Sequence, residues 1–316
     1  MVSEQRCPRC ADPMGTRDRF CAACGTLVAG HCRDHVEVDV GVAAGVSDRG
    51  QRHYRNEDAL ALRGLGAPGD GVTAAVAIVC DGVSSAARPD EASEAAAQAA
   101  AQAMVAALRA DADPVTATRA AIQAADRAVT ELASTDPSIQ DADDTRARGA
   151  PACTFVSAVV LGGAVTVGWV GDSRAYWIPR PRTESAPSIR LTEDDSWLAQ
   201  VLATGTLSAA EATADRRAHA ITAWLGQDAN QVAPHVVTVQ PDGPGVVVVC
   251  TDGLWNYLDS VDKLAAALPA QALEAPLDAA RELVEFALRG GGHDNITVAV
   301  LPFDTQPIDT QPGETS

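Results

Sequence analysis

The sequence predicts an α+β sandwich, with sheets packed face to face and helices outside them. Three features carry this. Apolar runs of strand length recur in both halves of the chain, at 75–80, 153–161, 164–170, 245–251 and 295–301. Two long alanine-rich stretches, 88–110 and 114–134, stand together between the first strands and the later ones. The order is therefore strands, a helix pair, strands, helices, strands. It lacks the regular β-α-β alternation of a doubly wound parallel sheet.

In chain order, the first 35 residues stand apart. They hold five of the eight cysteines and are near charge neutrality, with five arginines against four acidic residues. The rest carries 19 basic and 38 acidic residues, the whole source of the net charge of −18. This divides the chain into a cysteine-rich module with its linker, 1–35, and a main domain, 36–303. From residue 36, VEVDVGVAAGVS reads as strand, as does AVAIVC at 75–80. The stretches 88–110 and 114–134 are almost free of glycine, and Pro114 suits a first helical turn. Residues 135–151 are polar and aperiodic, a loop. Strands follow at 153–161, 164–170 and 173–178, then a Pro- and Arg-rich loop at 179–187. Short helices are expected across 194–225, strands at 232–239 and 245–251, a helix at 274–289 and a last strand at 295–301. The tail 304–316 repeats DTQP, offers no core residues and is expected to be disordered.

An apolar fraction of 47% supplies a sizeable core and excludes wholesale disorder. Lys263 is the only lysine, so nearly every positive charge is an arginine. The net acidity excludes broad electrostatic attraction to nucleic acid or anionic lipid. No apolar run approaches the ~20 residues of a membrane span. The opening MVSEQRCPRC lacks the basic and apolar regions of a secretory signal. The expectation is a soluble, cytoplasmic protein with neither a membrane segment nor a nucleic-acid partner.

Cys7-Pro-Arg-Cys10 and Cys21-Ala-Ala-Cys24 form two C-x-x-C knuckles separated by ten residues. Each knuckle presents two thiolates to one ion, and two complete a tetrahedral four-cysteine site for Zn2+. A module this short cannot bury enough surface to fold alone, so a metal staple is expected. Redox pairs or disulfides are the competing readings, which a cytoplasmic setting disfavours. A closed all-thiolate site leaves no open position, so this zinc is structural. Cys32, His31 and His35 are then surplus. The module resembles the zinc ribbons appended to many bacterial proteins.

Elsewhere the chain repeats one device, an apolar run ending abruptly in an acid. AVAIVC leads to Asp81-Gly82, TVGWVG to Asp172 and VVVVCT to Asp252-Gly253. His293-Asp294-Asn295 precedes ITVAVL, and Asn56-Glu57-Asp58 precedes ALAL. A single Asp-Gly reads as a hairpin turn. Five acidic strand boundaries in one domain point further, because carboxylates gathered together repel unless cations neutralise them. An all-oxygen set suits Mg2+ or Mn2+. From spacing alone, turns and a metal cluster both stay open.

The ordered series GVSDRGQRHYRNEDA, VCDGV, ACTFVSAVV, VGDSRAY, LTEDDSWLAQVLATGTLSAAEA, ITAWLG, CTDGLW and GGHDNITVAV resembles the metal-dependent (PPM, type 2C) protein serine/threonine phosphatases of bacteria. The match runs from about residue 40 to 301. It implies a central antiparallel β-sandwich flanked by helix pairs, in agreement with the pattern above. It implies hydrolysis of phosphoserine or phosphothreonine by a water or hydroxide bridging two Mn2+ or Mg2+ ions. By the same resemblance Asp81 bridges the two metals, the Gly82 carbonyl binds one, and Asp252 and Asp294 are the other direct ligands. Glu57 and Asp58 act on metal-bound waters, and Asp172 matches an aspartate that can hold a weaker third metal. Asn295 orients the last-ligand loop and Arg174 supports the Asp172 loop through ion pairs. Phosphorylated proteins, the products of bacterial serine/threonine kinases, are the implied partners. No phosphoenzyme is needed, so Cys80, Cys153 and Cys250 read as small buried hydrophobes.

The chain departs from the pattern in four places. His53 stands where relatives carry the arginine that binds substrate phosphate. In an extended strand residues 53 and 55 share a face, so Arg55, with Arg52 alongside, is the candidate replacement. His53 itself binds phosphate when protonated. Val83 takes the place of a histidine found in eukaryotic relatives, and Ser84-Ser85 that of Gly-Gly in bacterial ones. Asn256 replaces a further aspartate, which weakens a third metal site. The stretch 193–217 matches a mobile flap, and its acidic TEDDS (192–196) disfavours acidic phosphopeptides. An alternative reading makes the chain a catalytically weak phosphatase-fold sensor or scaffold that binds phosphoproteins, with the zinc ribbon as docking module. His53 and Asn256 favour it; retention of Asp81, Gly82, Asp252 and Asp294 opposes it.

Overall fold

The computed structural model describes residues 5–6, 13–14, 33–66, 74–134, 149–183, 186–218, 220–229 and 233–304. Cys7, Cys10, Cys21 and Cys24, and the tail from residue 305, lie outside the described residues. A two-residue antiparallel ladder, β1 (Gln5–Arg6) with β2 (Pro13–Met14), brackets the first knuckle in sequence.

Two antiparallel sheets form the centre. The five-stranded one comprises β5 (Asp58–Leu65), β6 (Ala74–Asp81), β7 (Phe155–Leu161), β8 (Ala164–Val170) and β11 (His235–Val239). Its order is β11-β8-β7-β6-β5. The six-stranded one comprises β3 (His35–Asp39), β4 (Ala44–Asp48), β9 (Arg174–Pro179), β10 (Ile189–Arg190), β12 (Gly245–Cys250) and β13 (Ile296–Phe303). Its order is β10-β9-β12-β13-β4-β3.

The near-continuous apolar runs exist because these strands are covered on both faces. Side chains alternate across a strand, and β6 uses both sides. Val76, Ile78 and Cys80 pack on the outer helices, whereas Ala75, Ala77 and Val79 face the opposite sheet. In β12, Val246, Val248 and Cys250 point outward while Val247 and Val249 join the inter-sheet core. Asp81 ends the inward-facing series of β6, so the pleat delivers a carboxylate to one end of the sandwich.

Helices α1 (Pro89–Arg109) and α2 (Pro114–Ser134) cover the five-stranded sheet. Their alanines fall at helical spacing, with Ala92, Ala96 and Ala100 buried on one and Ala117, Ala121 and Ala125 on the other. Small side chains allow close approach at little entropic cost. The remaining helices are α3 (Trp197–Thr204), α4 (Ala209–Ala214), α5 (Asp252–Trp255), α6 (Val261–Ala267) and α7 (Pro276–Arg289). The last three cover the six-stranded sheet, where Leu254, Leu264 and Leu283 are fully enclosed.

The structure refines two expectations, and helix α6 goes beyond them. VEVDVGVAAGVS is two strands, because Gly41 (φ +81°) turns the chain and Val40 N–H donates to Ala43 O at 3.0 Å. The 194–225 stretch is helical only in α3 and α4. Helix α6 gave no long period to read; Ser260 caps it by accepting from Lys263 N–H. Among the described residues no helix is long and apolar enough to cross a membrane.

Candidate active site

The strand-end acids collect where the two sheets share an end. Asp58 and Asp81 come from paired positions of β5 and β6. Asp252 opens α5 two residues after the end of β12, Asp294 stands two residues before β13, and Asp172 two residues after β8. Four of them, Asp81, Asp172, Asp252 and Asp294, line a cavity of about 570 Å3. No Arg or Lys lines it among the described residues.

Close backbone approach fixes these acids. A Cβ on Gly253 would stand 1.8 Å from the Asn295 carbonyl oxygen, so only glycine lets α5 press against the start of β13. At Gly82 a Cβ would meet the carbonyl oxygens of Pro89 and Glu57 at 2.5 and 2.7 Å. Asn295 is a buried knot. Its Oδ1 accepts from Glu57 N–H at 2.7 Å, and its Nδ2 donates to the Arg49 and Arg55 carbonyls. It thereby ties the 49–57 loop to the Asp294 turn.

Asp58 is fully enclosed. Its Oδ2 accepts from the hydroxyls of Thr251 and Thr297 at 2.9 and 2.7 Å, while its Oδ1 meets no donor. Burial pushes its carboxyl up to about 7, against the two threonine hydrogen bonds. Burial also drives Asp81 well above the carboxylate range, reinforced by Asp58, Asp252, Asp172 and Asp294. Asp252 is raised likewise, by burial and then by Asp294 and Asp172. Asp172 rises to about 6 through burial and the charge of Asp194. Every shift is upward because each acid is buried and its neighbours are mostly other carboxylates.

Such a set fits hard divalent cations. Its donors are all oxygens, and an enclosed carboxylate oxygen of Asp58 has no partner. Among the described residues no group of three or more His, Cys, Asp or Glu side chains stands close enough to hold an ion unaided. Mg2+ and Mn2+ sites commonly use one or two carboxylates per ion and complete the shell with water.

Residues 49–286 match the family described as protein phosphatase 2C, well over half of the chain. The chain belongs to the protein phosphatase 2C family. Serine/threonine protein phosphatase PstP of Mycobacterium tuberculosis is 27% identical over 164 residues, 49% of this chain and 29% of that protein. Serine/threonine phosphatase stp of Listeria monocytogenes is 28% identical over 152 residues, 48% of this chain and 56% of that one. The matched part thus spans well under two thirds of either relative. A crystal structure of the PstP catalytic domain in complex with two manganese ions shares the fold, with a TM-score of 0.57 and 24% identity. It covers 83% of this chain and 98% of that one.

Within this family frame, the substituted positions acquire surroundings. Residues 51–55 form turns and bends, so the strand argument pairing 53 with 55 does not apply. His53 Nε2 lies 3.2 Å from Asp294 Oδ1, at the edge of the carboxylate group. Arg55 is held by two acids, Glu57 Oε1 at 2.8 Å and Asp90 Oδ1 at 3.1 Å. Arg52 is exposed. Ser84, in the loop after Gly82, donates to Glu57 Oε2 at 2.6 Å, so Glu57 is gripped from both sides. Asn256 Nδ2 donates to Asp252 Oδ2 at 3.3 Å. Cys80, Cys153 and Cys250 are buried free thiols.

Sequence reasoning expected ion pairs from Arg174 but not the partners that root the 193–217 stretch. Arg174 makes a two-pronged ion pair with Asp194, at 2.9 and 2.6 Å, and stacks 3.6 Å above Trp255. Trp255 Nε1 donates to the Asp172 carbonyl. Asp195 exchanges two hydrogen bonds with Gly171, and Trp197 N–H donates to Ala220 O across the flap base. Asp194 and Asp195, legible only as negative charge, serve here as anchors of this stretch.

Proposed function

We propose that the chain is a metal-dependent phosphatase of phosphoserine and phosphothreonine proteins. The observation supporting it is the convergence of Asp81, Asp172, Asp252 and Asp294 on one cavity with no Arg or Lys in its described lining, with the buried Asp58 paired to Asp81 behind them. Asp81, the Gly82 carbonyl, Asp252 and Asp294 would hold two Mn2+ or Mg2+ ions, with Asp172 at a third, weaker position. Bound there, the ions supply Lewis acidity at the phosphoryl oxygens and a nucleophile at neutral pH. The chain's own residues position the rest. Arg55 and Ser84 hold Glu57 beside the cluster, Thr251 and Thr297 orient Asp58, and Asn295 keeps the 49–57 loop against Asp294. His53 would meet a phosphate oxygen by letting go of Asp294; with Val83 apolar, the leaving oxygen takes its proton from solvent or a neighbouring acid.

The decisive experiment is hydrolysis of a phosphothreonine peptide by the full chain, with and without Mn2+, beside Asp252→Ala. Metal-dependent turnover lost in the variant is the expected result. Capture of both Arg55 and His53 by acids favours a second reading, a weak enzyme that binds phosphoproteins. Metal-dependent phosphopeptide binding without turnover would select it.

The finer organisation belongs to the same proposal. Residues 1–35 form a zinc ribbon holding one structural Zn2+ through Cys7, Cys10, Cys21 and Cys24. Residues 36–303 form the phosphatase domain, acting in the cytoplasm on products of bacterial serine/threonine kinases. One zinc per purified chain, lost in Cys21→Ser, tests the ribbon.

A further inference from the structure

The cavity is larger than a phosphoryl group requires, and its lining is of two kinds. Besides the carboxylates it is lined by Ala150, Ala152, Ala220 and Ile221, with Trp224 and Asp228. This second arm is built firmly. Leu225, next to Trp224, exchanges two backbone hydrogen bonds with Cys153, and Gly226 N–H donates to Asp126 Oδ1. Ala220 and Ile221 are fixed by the flap base, through Trp197 and Ser196. Asp228 Oδ2 accepts from Ala150 N–H at 2.9 Å, and no Arg, Lys or His among the described residues pairs with it. An exposed carboxylate, a tryptophan and short apolar walls thus share one arm of the cavity.

We infer that this arm is a substrate subsite for a cationic side chain, arginine above all, flanking the phosphorylated residue. This rests on the phosphopeptide reading above. Three properties select a guanidinium. Its flat cation stacks on an indole face, its remaining N–H groups match a carboxylate, and its aliphatic stem lies along alanine and isoleucine. Charge complementarity agrees, because no Arg or Lys among the described residues lines the cavity and the chain carries −18 overall. A purely apolar side chain would leave Asp228 facing it, and an acidic one would be repelled.

The test uses the full chain with Mn2+ and a set of phosphothreonine peptides. One flanking position at a time, from three before to three after, is Arg, Leu or Glu. At one of these positions Arg is expected to raise kcat/KM about tenfold over Leu, and more over Glu. That advantage should shrink with added salt. It should also shrink in Trp224→Leu and in Asp228→Asn, each checked for folding by thermal melting. Equal rates for Arg and Leu, a preference for Leu, or a preference surviving both substitutions would overturn the inference. If the parent turns over no peptide, the phosphatase reading fails instead. Calorimetric affinities for the same peptides then decide the subsite, with Arg again expected tightest and equality overturning it.

Discussion

Asp172 offers a direct measure of what the crowded carboxylates cost. Burial and the Asp194 charge raise it to about 6, against an ordinary 3.8. Because the folded-state value is the higher, the folded chain holds this proton more tightly than the unfolded one. The stability attached to that proton is complete below about pH 4 and disappears as pH rises through about 6. Two pH units at ~1.4 kcal/mol each make the loss about 3 kcal/mol in metal-free protein. The group is enclosed, so solvent screening takes little from this. Asp172→Asn keeps the shape and cannot ionise. Urea unfolding in chelator should therefore show parent and variant close near pH 4. The gap should open between pH 4 and 6 and then hold at about 3 kcal/mol, with the variant the more stable. At about 2 °C per kcal/mol for a chain of this size, the variant melts some 6 °C higher at pH 8. A gap that is absent, reversed or independent of pH would refute the account of the site as starved of positive charge.

Gly253→Ala should cost about 1–3 kcal/mol and at least tenfold in turnover, since a Cβ displaces Asp252 from β13; melting and rate assays read both. Arg55→Ala should lower kcat more than it raises KM, because Arg55 grips Glu57, whereas His53→Ala should act mainly on KM; steady-state kinetics on one phosphopeptide separate them. Leu283→Ala, in the core beneath α7, should destabilise by about 2–5 kcal/mol in urea while KM at low temperature stays unchanged.

Much of this was legible because the fold makes local demands on the sequence. A strand covered on both faces, such as β6 or β12, must be apolar throughout, and an acid at its end announces the edge of the core. The alanine stripes of α1 and α2 similarly declare close packing. What escaped depends on contacts far apart in the chain. Nothing near Arg55 reveals that Asp90, from the first turn of α1, will hold it. Residues 51–55 read as strand by neighbourhood, yet Gly50 (φ +72°) and the hydrogen bond from Gln51 N–H to Gly292 O bend them into turns. The arm ending at Trp224 and Asp228 exists only because Leu225 pairs with Cys153, over 70 positions away.

The place of β13 bears on how the protein comes into being. Last of the described strands in chain order, it lies inside its sheet, between β12 and β4. During synthesis, β3 and β4 therefore wait, with an open edge, while about 250 further residues emerge at some 5–20 per second. Asp294 and Asn295 arrive with that strand, so the carboxylate centre is completed only once β13 has emerged. A message cut short upstream of β13 yields a chain with a divided sheet and no last acid. Such a product has nothing to act with and an unpaired edge that marks it for disposal.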